Sequence, residues 1–409
     1  ETDKSDDFSR EEAQHYLGTA EALELDRAEW EPILVELSRR IDIKPITIRS
    51  AVELRGHNRV QYVVNSEGTR IREHKTWIRL SMWASTIADD GMKLSLYRWE
   101  DVHDPKKLPG PEELEEWADN IANDLAELHD SPRGEPYSGP ILLRGRAAGV
   151  FIHEVLGHRM EGHRQKDEDE GQTFKDYVGK AILPETISVF DDPTLETYAG
   201  FDLNGHYRFD EEGQPAQRAM LVDNGILRGF LMSRSPIEGF ANSNGHGRAA
   251  AQSRPVARMA NTILETTDPK SFDQLKAMLK KELGTQDREY GLLIDEIGGG
   301  FTLTGRVYPN AINLRATTAW RIYRDGRADE LIRGIDLVGT PLVALGSIVA
   351  AGNDPGVFNG FCGAESGSIP NSAVSPSLLL RQLEIQRKEK GQDRPPLLPR
   401  PDQLPGEDS

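Results

Sequence analysis

A short run of the sequence combines the residue types that bind and use a transition metal. Residues 151–163 read Phe-Ile-His-Glu-Val-Leu-Gly-His-Arg-Met-Glu-Gly-His, and three of the chain's ten histidines lie in it, at His153, His158 and His163. Imidazole nitrogen binds zinc well, and a carboxylate beside the metal, here Glu154, can take a proton from bound water. The run therefore indicates metal-assisted hydrolysis.

The spacing of His153 and His158 differs from the common zinc-peptidase pattern, in which two histidines lie four residues apart on one helical face. Five positions rotate a regular helix by about 500°, which leaves the two side chains about 140° apart. A π-type bulge near Gly157 would bring both to one side. We therefore expect a distorted helix between His153 and His158. The spacing alone leaves open a surface helix with scattered histidines.

Apolar spacing and turn residues predict the elements around this run. Apolar residues three and four apart predict helices over 20–37, 112–129 and 271–283, and a further helix is predicted over 147–163. Hairpin turns are predicted at 65–68, 223–225 and 325–326. Strands are expected at 46–48, 60–64, 71–82, 92–99, 141–143, 187–190, 220–222, 226–231, 290–297, 311–323 and 331–332, while 378–385 fits either a strand or a helix.

These elements predict an α+β fold with two domains. Residues 1–136 form an N-terminal α+β domain that ends in a linker rich in proline and charge. Residues 137–386 form a mainly β second domain, with the histidine-bearing helix at its start. The charged, proline-rich tail over 387–409 is expected to be mobile or to lie along a surface.

Composition excludes several classes of protein. The net charge of −18 and the lack of a basic face argue against nucleic-acid binding. The chain lacks a run of about 18 apolar residues, so we expect no transmembrane helix and no membrane partner. It begins at Glu1 rather than Met, which leaves two locations open: the cytoplasm, or the periplasm or exterior if a signal peptide has been removed.

The single cysteine, Cys362, cannot form an internal disulfide. From its position alone three interpretations are open, namely an inert buried thiol, a nucleophile or a metal ligand.

The motifs, taken together and in order, resemble the TldD/PmbA metallopeptidase family, once described as modulators of DNA gyrase. The family's H-E-x-x-x-H motif is present at 153–158, followed by a Glu-Gly pair at 161–162. Further stretches similar to the family lie at 209–213, 245–248, 258–262, 298–300, 352–354 and 360–363. Together they extend over residues 140–385, which makes the match specific.

This resemblance implies a zinc site held by His153, His158 and Cys362, with a fourth position for water. Glu154 would activate the zinc-bound water for attack on a peptide bond. His246 and Arg248, in a glycine-rich loop, are candidates for substrate binding, with a simple turn as the alternative. His163 stands where family members commonly have a carboxylate. It is a supporting group, a rival ligand or an exposed residue.

The resemblance also implies an antiparallel second domain, and a dimer of identical chains or of an active and an inactive, TldE-like chain. The implied substrate is an unfolded or flexible peptide, held extended in an enclosed cavity. Two other functions stay open: a non-catalytic, peptide-binding partner subunit, and a gyrase regulator, which rests on the old family name alone.

Overall fold

The N-terminal part of the chain folds as a four-stranded sheet covered by two helices. The computed structural model describes residues 4–42, 46–306 and 311–388. The elements of this part, in chain order, are β1 (His15–Leu17), α1 (Arg27–Ile41), β2 (Arg49–Val64), β3 (Arg70–Ile87), β4 (Lys93–Val102) and α2 (Pro111–Asp130). Strand β3 is central, with β2 on one side and β1 and β4 on the other.

The second part begins with β5 (Tyr137–Leu143) and is dominated by strands. Its helices are α3 (Gly145–Val155), α4 (His163–Lys166), α5 (Phe272–Thr285) and α6 (Pro341–Gly346). Its remaining strands are β6 (Ile187–Asp191), β7 (Thr197–Tyr198), β8 (Phe201–Asp202), β9 (Ala219–Asp223), β10 (Ile226–Leu227), β11 (Gly247–Arg248), β12 (Val256–Ala257), β13 (Asn261–Thr266), β14 (Tyr290–Thr302), β15 (Ile312–Tyr323), β16 (Glu330–Ile332), β17 (Ile335–Gly339), β18 (Ile348–Ala351), β19 (Gly356–Ala364), β20 (Gly367–Ser375) and β21 (Leu378–Arg387).

Two larger sheets enclose α3. One has the order β10-β9-β6-β13-β20-β19. In the other, the pairings β14-β5-β21-β17-β15 return to β14 and close a circuit, with β16 and β18 attached. Helix α3 packs against β14 of the closed sheet and against β19 and β20 of the open one. It therefore lies between the sheets, and its apolar residues join the largest core cluster.

The α+β class expected from the sequence is confirmed, and so is the prevalence of antiparallel pairing. Among the described strands, the parallel pairs are β1–β3, β5–β14 and β13–β20. The division at residues 136 and 137 stays a prediction. The predicted tail, apart from Arg387 and Lys388, lies outside the described residues.

Several elements form where the local pattern predicts them. Helix α2 buries Leu114, Trp117, Ile121, Leu125 and Leu128, the apolar positions spaced by three and four. These side chains pack in a core cluster shared with β3, β4 and α1. At the turn after β9, Asn224 and Gly225 both have positive φ, as a two-residue hairpin requires.

Other boundaries differ from the prediction. Helix α1 begins at Arg27 rather than residue 20, because the Asp26 side chain accepts a hydrogen bond from the Ala28 amide and caps the helix there. Strand β10 covers Ile226–Leu227 and does not reach residue 231. The ambiguous segment at 378–385 is strand β21, paired with β5, β17 and β18. Among the described residues, no helix has the length and apolarity needed to cross a membrane.

Candidate metal centre

The helix that carries His153 ends two residues later, at Val155. Leu156 follows with φ −109° and ψ −53°, and a 3-10 turn then spans Gly157–Met160. The expected distortion between the two histidines is confirmed, but the predicted π-bulge is wrong, because the chain leaves the α-helix and tightens instead. The rings of His153 and His158 meet edge to face, with centroids 4.9 Å apart.

Close packing explains why glycine stands at the start of the 3-10 turn. A Cβ atom at Gly157 would lie 2.0 Å from Sδ of Met259. The guanidinium of Arg159 donates a hydrogen bond to the main-chain oxygen of Glu154 over 3.0 Å, which satisfies a carbonyl near the end of the helix. Packing against Met259 and the hydrogen bond from Arg159 therefore both hold the turn in place.

Strand β19 brings Cys362 to the two histidines. Its Sγ atom lies 3.3 Å from Nε2 of His158, and one ligand atom from each of His153, His158 and Cys362 can be chosen so that all lie within 4.8 Å of one another. All three side chains are buried. Ligand atoms around a tetrahedral zinc ion are about 3.3–3.8 Å apart, and imidazole nitrogen and thiolate sulfur are both established zinc ligands. The cluster therefore fits the metal that the resemblance implies.

Electrostatics within the cluster favour the thiolate form of Cys362. Burial acts to raise the pKa of this thiol, but the His158 and His153 rings together hold it well below its ordinary value. Burial also acts to lower the pKa of His158, whereas Cys362 and Glu161 raise it well above its ordinary value. The thiolate is the form that binds a metal, so Cys362 is held in the form that a metal site requires.

A buried ion-pair network orients the His158 ring. Nδ1 of His158 lies 3.3 Å from the carboxylate of Glu161, which leaves Nε2 toward Cys362. Glu161 is held by Arg164 Nε at 2.8 Å and by Arg258 Nε at 3.2 Å. A carboxylate behind a ligating histidine fixes the tautomer and direction of the ring. The sequence pattern included Glu161 and Arg258 but indicated no role for them.

Asn371 on β20 plays the matching part for His153, and no sequence pattern indicated this role. Nδ2 of Asn371 lies 2.9 Å from Nδ1 of His153, while the buried Oδ1 of Asn371 has no hydrogen-bond partner. Amide orientation follows from the hydrogen-bond network. With the amide turned over, Oδ1 accepts from Nδ1–H, and Nε2 of His153 keeps its lone pair for a metal.

Glu154 lines the same cavity as the three candidate ligands. The cavity has a volume of about 360 Å³, and Glu154 is 8% exposed within it. The helix thus places the predicted general base directly beside the His153–His158–Cys362 cluster.

His163 does not join the candidate ligands. Its Nε2 pairs with Oε1 of Glu365, at the turn between β19 and β20. Of the three interpretations open from the sequence, the geometry favours a supporting group, because this contact ties the cysteine-bearing hairpin to α4.

The predicted substrate-binding pair, His246 and Arg248, lies apart from the cavity lining. Both are buried, at 0% and 1% exposure. Nε2 of His246 lies 3.3 Å from Asp191, and Arg248 donates to the main-chain oxygen of Met259 over 2.5 Å. The structure therefore does not support the substrate-contact prediction. These side chains have internal partners that hold their glycine-rich loop.

The buried His-His-Cys cluster, within a strand-dominated α+β fold, supports a metal-binding protein. The family model described as the PmbA/TldA metallopeptidase C-terminal domain matches residues 136–387. The chain belongs to this family, and the expected resemblance is confirmed.

Relatives with known names agree with this assignment. A metalloprotease of Methanothermobacter thermautotrophicus is 29% identical over 79% of this chain and 66% of its own length. A metalloprotease of Methanocaldococcus jannaschii is 30% identical over 62% of this chain and 51% of its own length. A zinc metalloprotease TldD homologue of Saccharolobus solfataricus is 24% identical over 62% and 52%. The chain thus spans about half to two thirds of these relatives.

Solved structures share the fold. A putative modulator of a DNA gyrase from Thermotoga maritima superposes with a TM-score of 0.67 at 18% identity, covering 92% of this chain and 79% of the other. TldE from Thermococcus kodakarensis superposes with a TM-score of 0.61 at 16% identity, covering 91% and 79%. At these identities the likeness is one of fold.

Proposed function

We propose that this protein is a zinc-dependent peptidase that cleaves unfolded or flexible peptides, with His153, His158 and Cys362 as metal ligands. The observation that carries the proposal is the cluster itself: three buried donor side chains, brought together from segments about two hundred residues apart. The names of the relatives support the same activity.

Glu154 acts as the general base. A zinc ion held by the cluster would supply Lewis acidity toward the scissile carbonyl and lower the pKa of a water molecule to about 7. The Glu154 carboxylate accepts the proton of the attacking water and returns it to the departing amine. Glu161 and Asn371 hold the two imidazole rings that would bind the metal.

The proposed assembly is a dimer, either of identical chains or with a TldE-like chain. The fold likeness to TldE supports the second form. A non-catalytic, peptide-binding partner subunit is the alternative function, and the complete set of Glu154 and candidate ligands favours the peptidase.

Two measurements test the peptidase. Zinc content is determined for the purified protein and for Cys362→Ser, His158→Ala and Glu154→Gln, with the exposed His15→Ala as control. We expect one zinc per chain in the parent, the control and Glu154→Gln, and loss of zinc in the two ligand variants. Stoichiometric zinc in both ligand variants would contradict the ligand set.

Cleavage of an unstructured fluorogenic peptide is then compared for the same proteins. Loss of a general base lowers kcat by about a hundredfold to ten-thousandfold, so Glu154→Gln should keep zinc and lose cleavage. Unchanged cleavage by an assembly containing Glu154→Gln would favour the non-catalytic partner instead.

A further inference from the structure

Aromatic side chains form part of the lining of the cavity that holds the candidate metal ligands. Phe301, Phe358 and Phe361 line it together with Val150. Phe301 is 55% exposed and Phe361 is 44% exposed, although both are large and apolar. Exposed apolar groups that line a concave site are a common feature of ligand-binding surfaces.

The two exposed rings belong to residues of strands that form the site. Phe301 is near the end of β14, directly after a run of three glycines, and Phe361 precedes Cys362 on β19. The Phe361 ring packs against Trp77 of β3 with centroids 6.3 Å apart, and the Arg79 guanidinium lies 5.3 Å from the ring centroid. The N-terminal sheet therefore supports this ring beside the candidate ligand.

The charged groups of the cavity lining, other than the proposed base and ligands, are already paired. Arg164 lies 3.0 Å from Glu365, and it also contacts Glu161 and Glu170. A charged substrate side chain would have to compete with these pairs, whereas an apolar side chain would cover exposed aromatic surface. The lining thus favours apolar groups.

Building on the proposed function, we propose that the site selects peptides with a large apolar or aromatic residue next to the scissile bond. Phe301 and Phe361 provide the surface against which this side chain packs. Unfolded proteins expose such residues and folded proteins bury them, so this contact also selects for unfolded substrates.

The size of the preference follows from apolar burial. Full burial of a Leu or Phe side chain corresponds to about a tenfold to hundredfold gain in kcat/KM or affinity. Because the rings flank an open cavity, the lower end of this range is expected when a Leu peptide is compared with its Ser analogue.

The test uses the full-length, zinc-loaded protein and peptides that differ at one position beside the cleaved bond, namely Leu, Phe, Ser, Asp or Lys. We expect kcat/KM to be about tenfold higher for Leu and Phe than for Ser, Asp or Lys. Phe301→Ala and Phe361→Ala should remove most of this difference, so that their kcat/KM values for the Leu and Ser peptides become similar. Tyr62→Ala, which removes an aromatic side chain that is 69% exposed on β2, serves as the control and should leave the preference intact.

Binding to the zinc-loaded Glu154→Gln variant, followed by fluorescence anisotropy, separates the two proposals. Equal Kd values for the Leu and Ser peptides, or an undiminished preference in both Phe variants, would overturn the selectivity inference. A Leu preference in binding without cleavage by the parent protein would support the inference and contradict the peptidase proposal.

Discussion

Nη2 of Arg258 donates a hydrogen bond to the main-chain oxygen of Cys362 over 2.7 Å. The same guanidinium lies 3.2 Å from Glu161 through Nε and donates to Ser366 Oγ over 2.8 Å. Arg258 is fully buried. It therefore connects the carboxylate behind His158 with the hairpin that presents the thiol.

The first prediction is that Arg258→Lys lowers zinc affinity about tenfold to a hundredfold. A lysine ammonium cannot reproduce the planar fork, and loss of such outer partners typically has an effect of this size. Affinity is measured by competition with a chelator, and the thiolate-to-cobalt absorption of the Co²⁺ form reports the geometry at Cys362.

Arg234→Lys is the matched control, because Arg234 is 2% exposed and pairs with Glu67 away from the cavity. It should lose stability while keeping its zinc affinity and cobalt spectrum. If Arg258→Lys also lost stability but kept its zinc affinity and cobalt spectrum, the role of Arg258 would be limited to packing.

Asn371 provides a second prediction, which concerns the direction of a hydrogen bond. If Nδ1–H of His153 donates to Asn371, then Asn371→Asp keeps an acceptor and should retain zinc, whereas Asn371→Leu should lose about tenfold or more in affinity. Both variants are compared by chelator competition. If Asn371→Asp lost zinc affinity to the same extent as Asn371→Leu, Nδ1 would be the acceptor of this hydrogen bond instead.

The third prediction tests the turn between the histidines. Gly157→Ala forces a Cβ atom against Met259 and should destabilise the protein by about 1–3 kcal/mol in urea unfolding. In a Met259→Ala background most of this cost should disappear, since the two positions are in contact.

Gly284→Ala in α5 is the control for this series. A Cβ atom there meets no heavy atom within 4 Å, so the variant should be neutral or more stable by up to about 1 kcal/mol. Equal costs for Gly157→Ala in both Met259 backgrounds would exclude the predicted clash as the cause.

Glu212 yields a prediction about pH. Burial raises the pKa of Glu212 to about 7 in the folded protein, against about 4.3 in an unfolded chain. The folded state therefore binds more protons between these values, and the Glu212 contribution to stability falls as pH rises from about 4.3 to 7.

Glu212→Gln should remove this contribution, which is on the order of 3 kcal/mol between pH 4 and 8. Urea unfolding of parent and variant at pH 5 and pH 8 measures it, and the variant should gain relative stability at pH 8. Glu168→Gln, at an exposed position, should show no such change. If the stability of the parent and of Glu212→Gln changed equally with pH, the raised pKa of Glu212 would be refuted.

Local sequence patterns predicted the elements whose structure is determined by residues close together in the chain. Helix α2 has its apolar stripe, and the turn at Asn224 and Gly225 has residues that tolerate positive φ. Strand β19 was not predicted, because glycines at 356, 360 and 363 interrupt any alternating pattern. Its extended form depends on pairing with β20 along its whole length.

The site was predictable to the extent that its residues form a motif. His153, Glu154 and His158 are recognisable from their types and spacing, and Cys362 required the resemblance to a family. The role of Asn371 could not be predicted from the sequence, because Asn371 lies 218 residues from His153 and only the tertiary fold brings them together. The close approach of Met259, which leaves no room for a Cβ atom at Gly157 in the 3-10 turn, likewise depends on the tertiary fold.

The separation of His158 from Cys362 has a consequence for the unfolded chain. A zinc ion bound to both would cross-link positions 204 residues apart. In the chain-entropy model, a cross-link that persists in the unfolded chain across so long a loop contributes about 5 kcal/mol, as a disulfide across the same span would. With a single cysteine the chain has no internal disulfide. The ion would therefore also act as a cross-link, and the melting temperature of the protein would increase with the zinc concentration.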